Sequence, residues 1–315
     1  MELRGFPEHT PVITADQLGN DQGVIVRGPK VTRDTLARAE NLLAVARFGV
    51  GYDNVDVPAC TDADVVATIT PGAVDRCVAE ATLCWMLALS HNLMGKDRMV
   101  REARWGDPLR SQGCELGERT LGVIGLGRIG RALVDLCKGL GMAQPIAYDP
   151  YVASCDVVRM VGLDELMSTA DFITIHCPLT PETTNLVGAR QVARMKPDAY
   201  IINVARGGVV DEDALYEALR DRRIAGAGID CFVGEPLQAP PKFAGLDNVV
   251  MAPHGIAITR EHGRRLGTMS CQVMLDLSMG RKPVGVLNPL VFDKPSFQKK
   301  WSRLTRDGAG QPQPR

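Results

Sequence analysis

The sequence has no CxxC pair and no regular cysteine spacing, although it contains nine cysteines. That excludes a disulfide framework or a zinc knuckle and suits a reducing compartment, with the thiols acting mainly as small buried apolar groups. No HExxH or similar spacing links the five histidines, so no metal centre is expected. Charge of one sign is not in excess. The formal net charge is −1, which gives no reason to expect nucleic acid or an anionic membrane as the main partner.

Long hydrophobic runs are also missing. The longest, Ala81 to Leu89, is too short to span a bilayer and reads as part of a buried helix. The first ten residues, MELRGFPEHT, lack the apolar core of a secretory signal, so a cytoplasmic location is expected. No internal repeat of 20–50 residues is visible. The tail from Arg306 to Arg315 is rich in Gly, Pro and Gln and reads as disordered.

What is present is alternation. From Gly23, VIVRG, LLAVARF and DVVATIT read as strands, with TRDTLARAE as a helix between the first two. A continuous helix is expected from Val74 to about Arg104, apolar on nearly every side at first and amphipathic later, as suits a connector between two cores. Beyond it, TLGVIGLG, PIAYD, DFITIHC, AYIINVA, AGAGIDCF and NVVMAP read as strands. Helices at RIGRALVDLCKGL, LDELMS, GARQVARM and EDALYEALR separate them, with Asp211 as N-cap of the last. Val- and Ile-rich strands buried on both faces and separated by helices give an α/β protein with a Rossmann-type doubly wound parallel sheet.

A length of 315 residues favours two domains. The expected division is a discontinuous first domain, 1–90 with 283–315, and a second domain, 91–282. Thr259 to Gly280 reads as a second connector helix.

Gly125, Gly127 and Gly130 have the G-x-G-x-x-G spacing, with a strand before and a helix after. Asp149 ends the next strand, 19 residues past Gly130. The glycines permit a tight turn and close approach of backbone N–H groups to a pyrophosphate at a helix N-terminus. Asp149 would accept the ribose hydroxyls and repel a 2′-phosphate, and Pro150 and Tyr151 supply no arginine for that phosphate. NAD is therefore favoured over NADP.

Three ionisable residues follow successive apolar strands: Arg206, Glu235 and His254. Ligands of open α/β sheets gather at such carboxyl ends. A guanidinium fork suits a carboxylate, an imidazole suits proton transfer to a carbonyl oxygen, and a carboxylate beside it orients the ring. Together they suit hydride transfer at a 2-hydroxy or 2-keto acid.

The segments ARFGVGYDNVDVPACT, VAEATLCWMLAL, LGVIGLGRIGRAL, HCPLTPETTNLV, INVARGGVVDEDAL, AGAGIDCFVGEPL and NVVMAPHGIAITRE run in one order from about Gly23 to Leu287. The chain resembles the D-isomer-specific 2-hydroxyacid dehydrogenases. That resemblance implies an NAD-dependent oxidoreductase with a smaller flavodoxin-like substrate domain, and a homodimer acting on a small D-2-hydroxy or 2-keto acid. It assigns Arg206 to the substrate carboxylate, His254 to acid–base chemistry and Glu235 as its partner. It also places the backbone of Val50 and Gly51 on the carboxylate and makes Arg47 a candidate for a distal substrate group. Arg128 and Ile129 would lie on the pyrophosphate. Asp230 would hold the nicotinamide carboxamide, and Cys177, Pro178, Thr183, Val204, Ala205 and Gly255 would line the dinucleotide.

Only 22 residues precede Gly23, so the first lobe reads as abbreviated; Gly255 keeps the small residue the family often has at 255 or 256, whereas Ile256, and Ala257 in place of the family's glycine, would reshape the nicotinamide pocket. No regulatory domain is expected after the second lobe. Alternatives that share the fold are a nucleotide-sensing, corepressor-like binding protein, a dehydrogenase of phosphite or formate, and a degenerate enzyme that binds cofactor but turns over poorly.

Overall fold

The computed structural model describes residues 2–105 and 112–308. The chain forms two compact units, one running to Val74 and resuming at Thr259, the other spanning Asp75–Ile258.

The smaller unit begins with α1 (Ala15–Leu18), β1 (Gly23–Val26), β2 (Ala44–Arg47), α2 (Val57–Asp62) and β3 (Val66–Thr68). The strands form one parallel sheet in the order β1-β2-β3. Among the described residues this sheet has no point where strand order reverses. The expected helix over TRDTLARAE does not form. Residues 33–38 are successive turns, with N–H groups of Leu36 and Ala37 bonded to carbonyls three residues back. Thr32 and Thr35 each accept the other's backbone N–H, and the Thr35 hydroxyl donates to the carbonyl of Ile13, which ties these turns to the segment before α1.

The larger unit opens with α3 (Asp75–Ser90) and α4 (Leu93–Arg101). The continuous helix expected over Val74–Arg104 is thus broken. Asn92, at φ 48°, takes the left-handed conformation that asparagine tolerates, and the helix ends there. Then follow β4 (Leu121–Ile124), α5 (Arg128–Cys137), β5 (Ile146–Tyr148), β6 (Arg159–Met160), α6 (Leu163–Thr169) and β7 (Phe172–Ile175). Next are α7 (Ala189–Val192), β8 (Tyr200–Asn203), α8 (Glu212–Arg220), β9 (Gly226–Ile229) and β10 (Val249–Met251). Asp211 caps α8 as expected, accepting the N–H groups of Asp213 and Ala214.

These strands form a seven-stranded parallel sheet in the order β10-β9-β8-β7-β4-β5-β6. Successive side chains alternate between its faces. Ile124, Ile173, Ile175 and Ile201 pack with residues of α6, α7 and α8, whereas Leu121, Val123, Phe172 and Ile202 pack with α3 and α5. Helices on both faces explain why β4, β7 and β9 are buried along their whole length. The order reverses between β4 and β7, the switch point of a doubly wound sheet.

The chain returns to the smaller unit as α9 (Arg260–Ser278) and α10 (Pro295–Gly308). Thr259 caps α9, and the indole N–H of Trp301 donates to the carbonyl of Leu277 at 2.7 Å. Val273, Leu277, Phe292, Phe297 and Leu304 cover one face of the small sheet. The divisions between units, at 74/75 and 258/259, fall earlier along the chain than the expected 90/91 and 282/283. The reason is packing: α3 gives Trp85 and Met86 to the large sheet, and α9 gives Val273 and Leu277 to the small one. The tail expected to be disordered begins inside α10, and residues 309–315 lie outside the described residues.

Candidate active site

The glycine loop joins β4 to α5 at the switch point. Gly125 has φ +92°, and a Cβ there would sit 2.8 Å from the Cys177 nitrogen at the end of β7. Gly127 precedes α5 and, among the described residues, no side chain caps that helix. Space beside Gly127 is open for 4 Å, so backbone N–H groups at this N-terminus are accessible to an anion. Arg128 and Ile129 are the first residues of the helix. The Arg128 guanidinium is engaged with Asp75 at 2.6 Å, which leaves its backbone as the part facing the loop's chemistry.

Asp149 follows β5. One carboxylate oxygen accepts the N–H of Leu126 at 2.9 Å and the other that of Tyr151 at 2.9 Å. The acid expected to meet a ribose therefore also shapes the glycine loop. Cys177 and Pro178 follow β7. Burial pushes the Cys177 thiol up to about 11, so it is a packing group rather than a nucleophile. The Thr183 hydroxyl donates to the carbonyl of Pro178 at 2.6 Å and accepts the N–H of Thr180 at 2.7 Å, which fixes this loop from within.

At the end of β8, Asn203 builds the turn that carries Arg206. Its amide donates to the Arg206 carbonyl at 2.9 Å and its carbonyl oxygen accepts the Ala205 N–H at 3.1 Å, so Val204 and Ala205 are held between them. The Arg206 guanidinium donates to the carbonyl of Ala205 at 2.7 Å. After β9, Asp230 is buried, and one carboxylate oxygen takes the N–H groups of Gly255 at 2.8 Å and Ile256 at 3.2 Å. Burial raises its pKa above the ordinary carboxylate value despite those bonds.

His254 follows β10 with φ +49°. Its Nδ1 lies 2.6 Å from a carboxylate oxygen of Glu235, whose other oxygen accepts the N–H of Phe232 at 2.5 Å. Burial alone would raise Glu235. The hydrogen bonds from His254 and Phe232, with the charges of His254 and Arg206, outweigh it and hold the carboxyl below its usual value. The His254 side chain remains 44% exposed, and among the described residues its Nε2 has no partner. Arg206, Glu235 and His254 thus come together at the carboxyl edge of adjacent strands, coupled by charge and by the 2.6 Å bond.

Three residues here were not singled out by sequence. Asn203 was legible as a polar residue ending an apolar strand. Glu212, which accepts the N–H of Val233 at 2.7 Å and steadies the loop bearing Glu235, reads in sequence only as an acidic helix start. Cys231 brings its Sγ within 4.8 Å of ligand atoms of both Glu235 and His254, a grouping that no sequence spacing announces.

In the smaller unit, Arg47 ends β2, and Val50 and Gly51 follow in the next loop. Arg47 is folded back on that loop, donating to the carbonyl of Phe48 and to Asn54 at 3.2 Å, so it braces the turn. Among the described residues, no acceptor takes the N–H of Val50 or Gly51.

The sequence profile for the D-isomer specific 2-hydroxyacid dehydrogenase NAD binding domain matches residues 83–255. The chain is 41% identical over 271 residues to the D-3-phosphoglycerate dehydrogenase of Methanocaldococcus jannaschii, covering 84% of this chain and 51% of that protein. It is 35% identical to the glyoxylate reductase of Korarchaeum cryptofilum, covering 85% and 83%. The D-lactate dehydrogenase of Aquifex aeolicus, solved with NAD and lactic acid, superposes with a TM-score of 0.78 at 29% identity, covering 85% and 86%. The chain spans about half the length of the phosphoglycerate dehydrogenase it matches. The glycine loop, the switch point and these matches agree: the chain belongs to the D-isomer specific 2-hydroxyacid dehydrogenase family, and residues 83–255 are its NAD-binding domain.

Proposed function

We propose that this protein is an NAD-dependent oxidoreductase that interconverts a small D-2-hydroxy acid and its 2-keto acid. One observation carries the reading. His254 Nδ1 is 2.6 Å from the Glu235 carboxylate, and among the described residues its Nε2 has no partner.

The cradle fits the dinucleotide. The uncapped start of α5 and the open space at Gly127 suit a pyrophosphate, and Asp149 and Asp230 each keep lone pairs for ribose hydroxyls and carboxamide. When bound, NAD(H) supplies or accepts the hydride.

The chain's residues do the rest. Arg206 holds the substrate carboxylate and draws electron density from the adjacent carbonyl. His254 gives a proton from Nε2 to the carbonyl oxygen in reduction and recovers it in oxidation. Glu235 fixes the ring so that Nε2 faces the reacting oxygen and steadies the imidazolium. The glyoxylate, phosphoglycerate and lactate specificities of relatives favour a short 2-keto acid as substrate.

The test is NADH oxidation by the purified chain with glyoxylate, hydroxypyruvate, pyruvate and phenylpyruvate. His254→Ala is expected to lower turnover roughly 100- to 10,000-fold while NADH still binds. Absence of turnover with every acid, or an unimpaired His254→Ala variant, overturns the reading.

A further inference from the structure

Cys231, Glu235 and His254 each offer one metal-ligating atom, and the three atoms lie within 4.8 Å of one another. They arrive from different places. Cys231 follows β9 and is 1% exposed, its Sγ–H donating to the carbonyl of Ala205 at 3.3 Å. Glu235 sits in the loop beyond, and His254 follows the neighbouring strand β10. The Glu235 and His254 side chains are 29% and 44% exposed. A soft, buried sulfur therefore lies behind a carboxylate and an imidazole that face solvent.

We propose that these three side chains form a binding site for a divalent cation of the Zn²⁺ class. The donor set selects the metal. Thiolate and imidazole favour zinc and its neighbours, whereas magnesium and calcium take oxygen ligands. Bonds of about 2.3 Å to sulfur and about 2.0–2.2 Å to nitrogen and oxygen put tetrahedral donors roughly 3.3–3.7 Å apart. Side-chain rotations of about 1 Å move the present arrangement to that spacing: the thiol closes in, and Glu235 and His254 open from 2.6 Å to admit the ion. The thiol proton, and the proton between Nδ1 and the carboxylate, pass to solvent as the metal bonds form. Three protein ligands leave a fourth position on the exposed side for water.

The consequence for turnover rests on the proposed function, because the cation occupies the contact that orients His254. The site itself does not. Metal binding at these donors takes the Glu235–His254 pair out of use reversibly, and Cys231 is the residue that makes it possible.

Co²⁺ titration of the purified full chain tests the site without need of a substrate. A near-ultraviolet band from thiolate to cobalt is expected, saturating at about one equivalent and displaced by Zn²⁺. Cys231→Val keeps the buried position apolar and leaves the other eight cysteines in place. Cys231→Ser keeps the size of the group. Either variant is expected to lose the band while retaining the fold by circular dichroism. No band in the native chain, or the same band in both variants, overturns the proposal. With an active substrate in hand, Zn²⁺ that lowers native turnover at least tenfold is expected to leave Cys231→Val largely unaffected. Equal inhibition of the two also overturns it.

Discussion

A methyl group on Gly130 would come within 2.5 Å of the carbonyl oxygen of Gly125, and within 2.9 Å of Val123 Cγ1. The first turn of α5 is thus seated directly on the end of β4. Gly127, three residues earlier, has φ −74° and nothing within 4 Å of where a Cβ would go. Two glycines of one motif therefore do different work, one in packing and the other in leaving room.

Gly130→Ala is expected to destabilise the fold by about 1–3 kcal/mol, the usual range for an overpacked site, and to weaken NADH binding as a consequence. Gly127→Ala is expected to leave the melting temperature unchanged and still weaken NADH binding at least tenfold, because its methyl group takes the space of the phosphate. Thermal melts beside fluorescence titration with NADH separate the two. A Gly127→Ala variant that binds NADH normally would show that the pyrophosphate does not approach here.

Asp149 has two duties, and its removal is expected to show both. Asp149→Ala leaves the N–H groups of Leu126 and Tyr151 without their carboxylate partner. Bonds to a charged acceptor are worth about 1.5–3 kcal/mol, so NADH affinity is expected to fall about 10- to 100-fold. The preference for NADH over NADPH is expected to narrow as the repulsion of a 2′-phosphate disappears. An unchanged ratio of the two affinities removes Asp149 from cofactor selection.

His176, at the end of β7, supplies a pH dependence. Both ring nitrogens are buried and, among the described residues, neither has a hydrogen-bond partner. Burial lowers its pKa from 6.5 to about 4. Between those values the unfolded chain binds a proton that the folded chain does not, so stability falls as pH drops from 6.5 towards 4. The full loss from this group is roughly 3 kcal/mol. His176→Leu removes the titration and two unpaired polar atoms, so it is expected to be at least as stable at pH 7 and to hold a growing advantage at acid pH. Urea denaturation of both proteins across this range checks it. Parallel curves would mean that His176 does not titrate in the folded state as described.

Much of this was legible because strands buried on both faces are written as apolar runs, and the residue that ends each run is marked by its polarity. Arg206 after IINVA and His254 after VVMAP stand out for that reason. The break at Asn92 was not legible, since one left-handed residue leaves the surrounding helical pattern intact. At residues 33–38 the local pattern reads as a helix, whereas the Thr35 hydroxyl ties the turns found there to Ile13, a contact across 22 positions that no local window contains. The division between units is not written locally, because α3 and α9 have apolar residues enough for either core, and only packing decides which receives them. Cys231 carries no signal in the sequence, because its meaning comes from Glu235 and His254 across a loop and a neighbouring strand.

The backbone of His254 carries a last consequence. A left-handed conformation is strained for any residue with a Cβ, by about 1–2 kcal/mol. At φ +49° the acid–base position holds that strain whatever its side chain. Ordinarily glycine in place of alanine loosens a protein. Here the order is expected to reverse, with His254→Gly melting higher than His254→Ala although both lack the imidazole. The gap between those two inactive proteins measures, in heat, the conformational tension at which this chain keeps its histidine aimed.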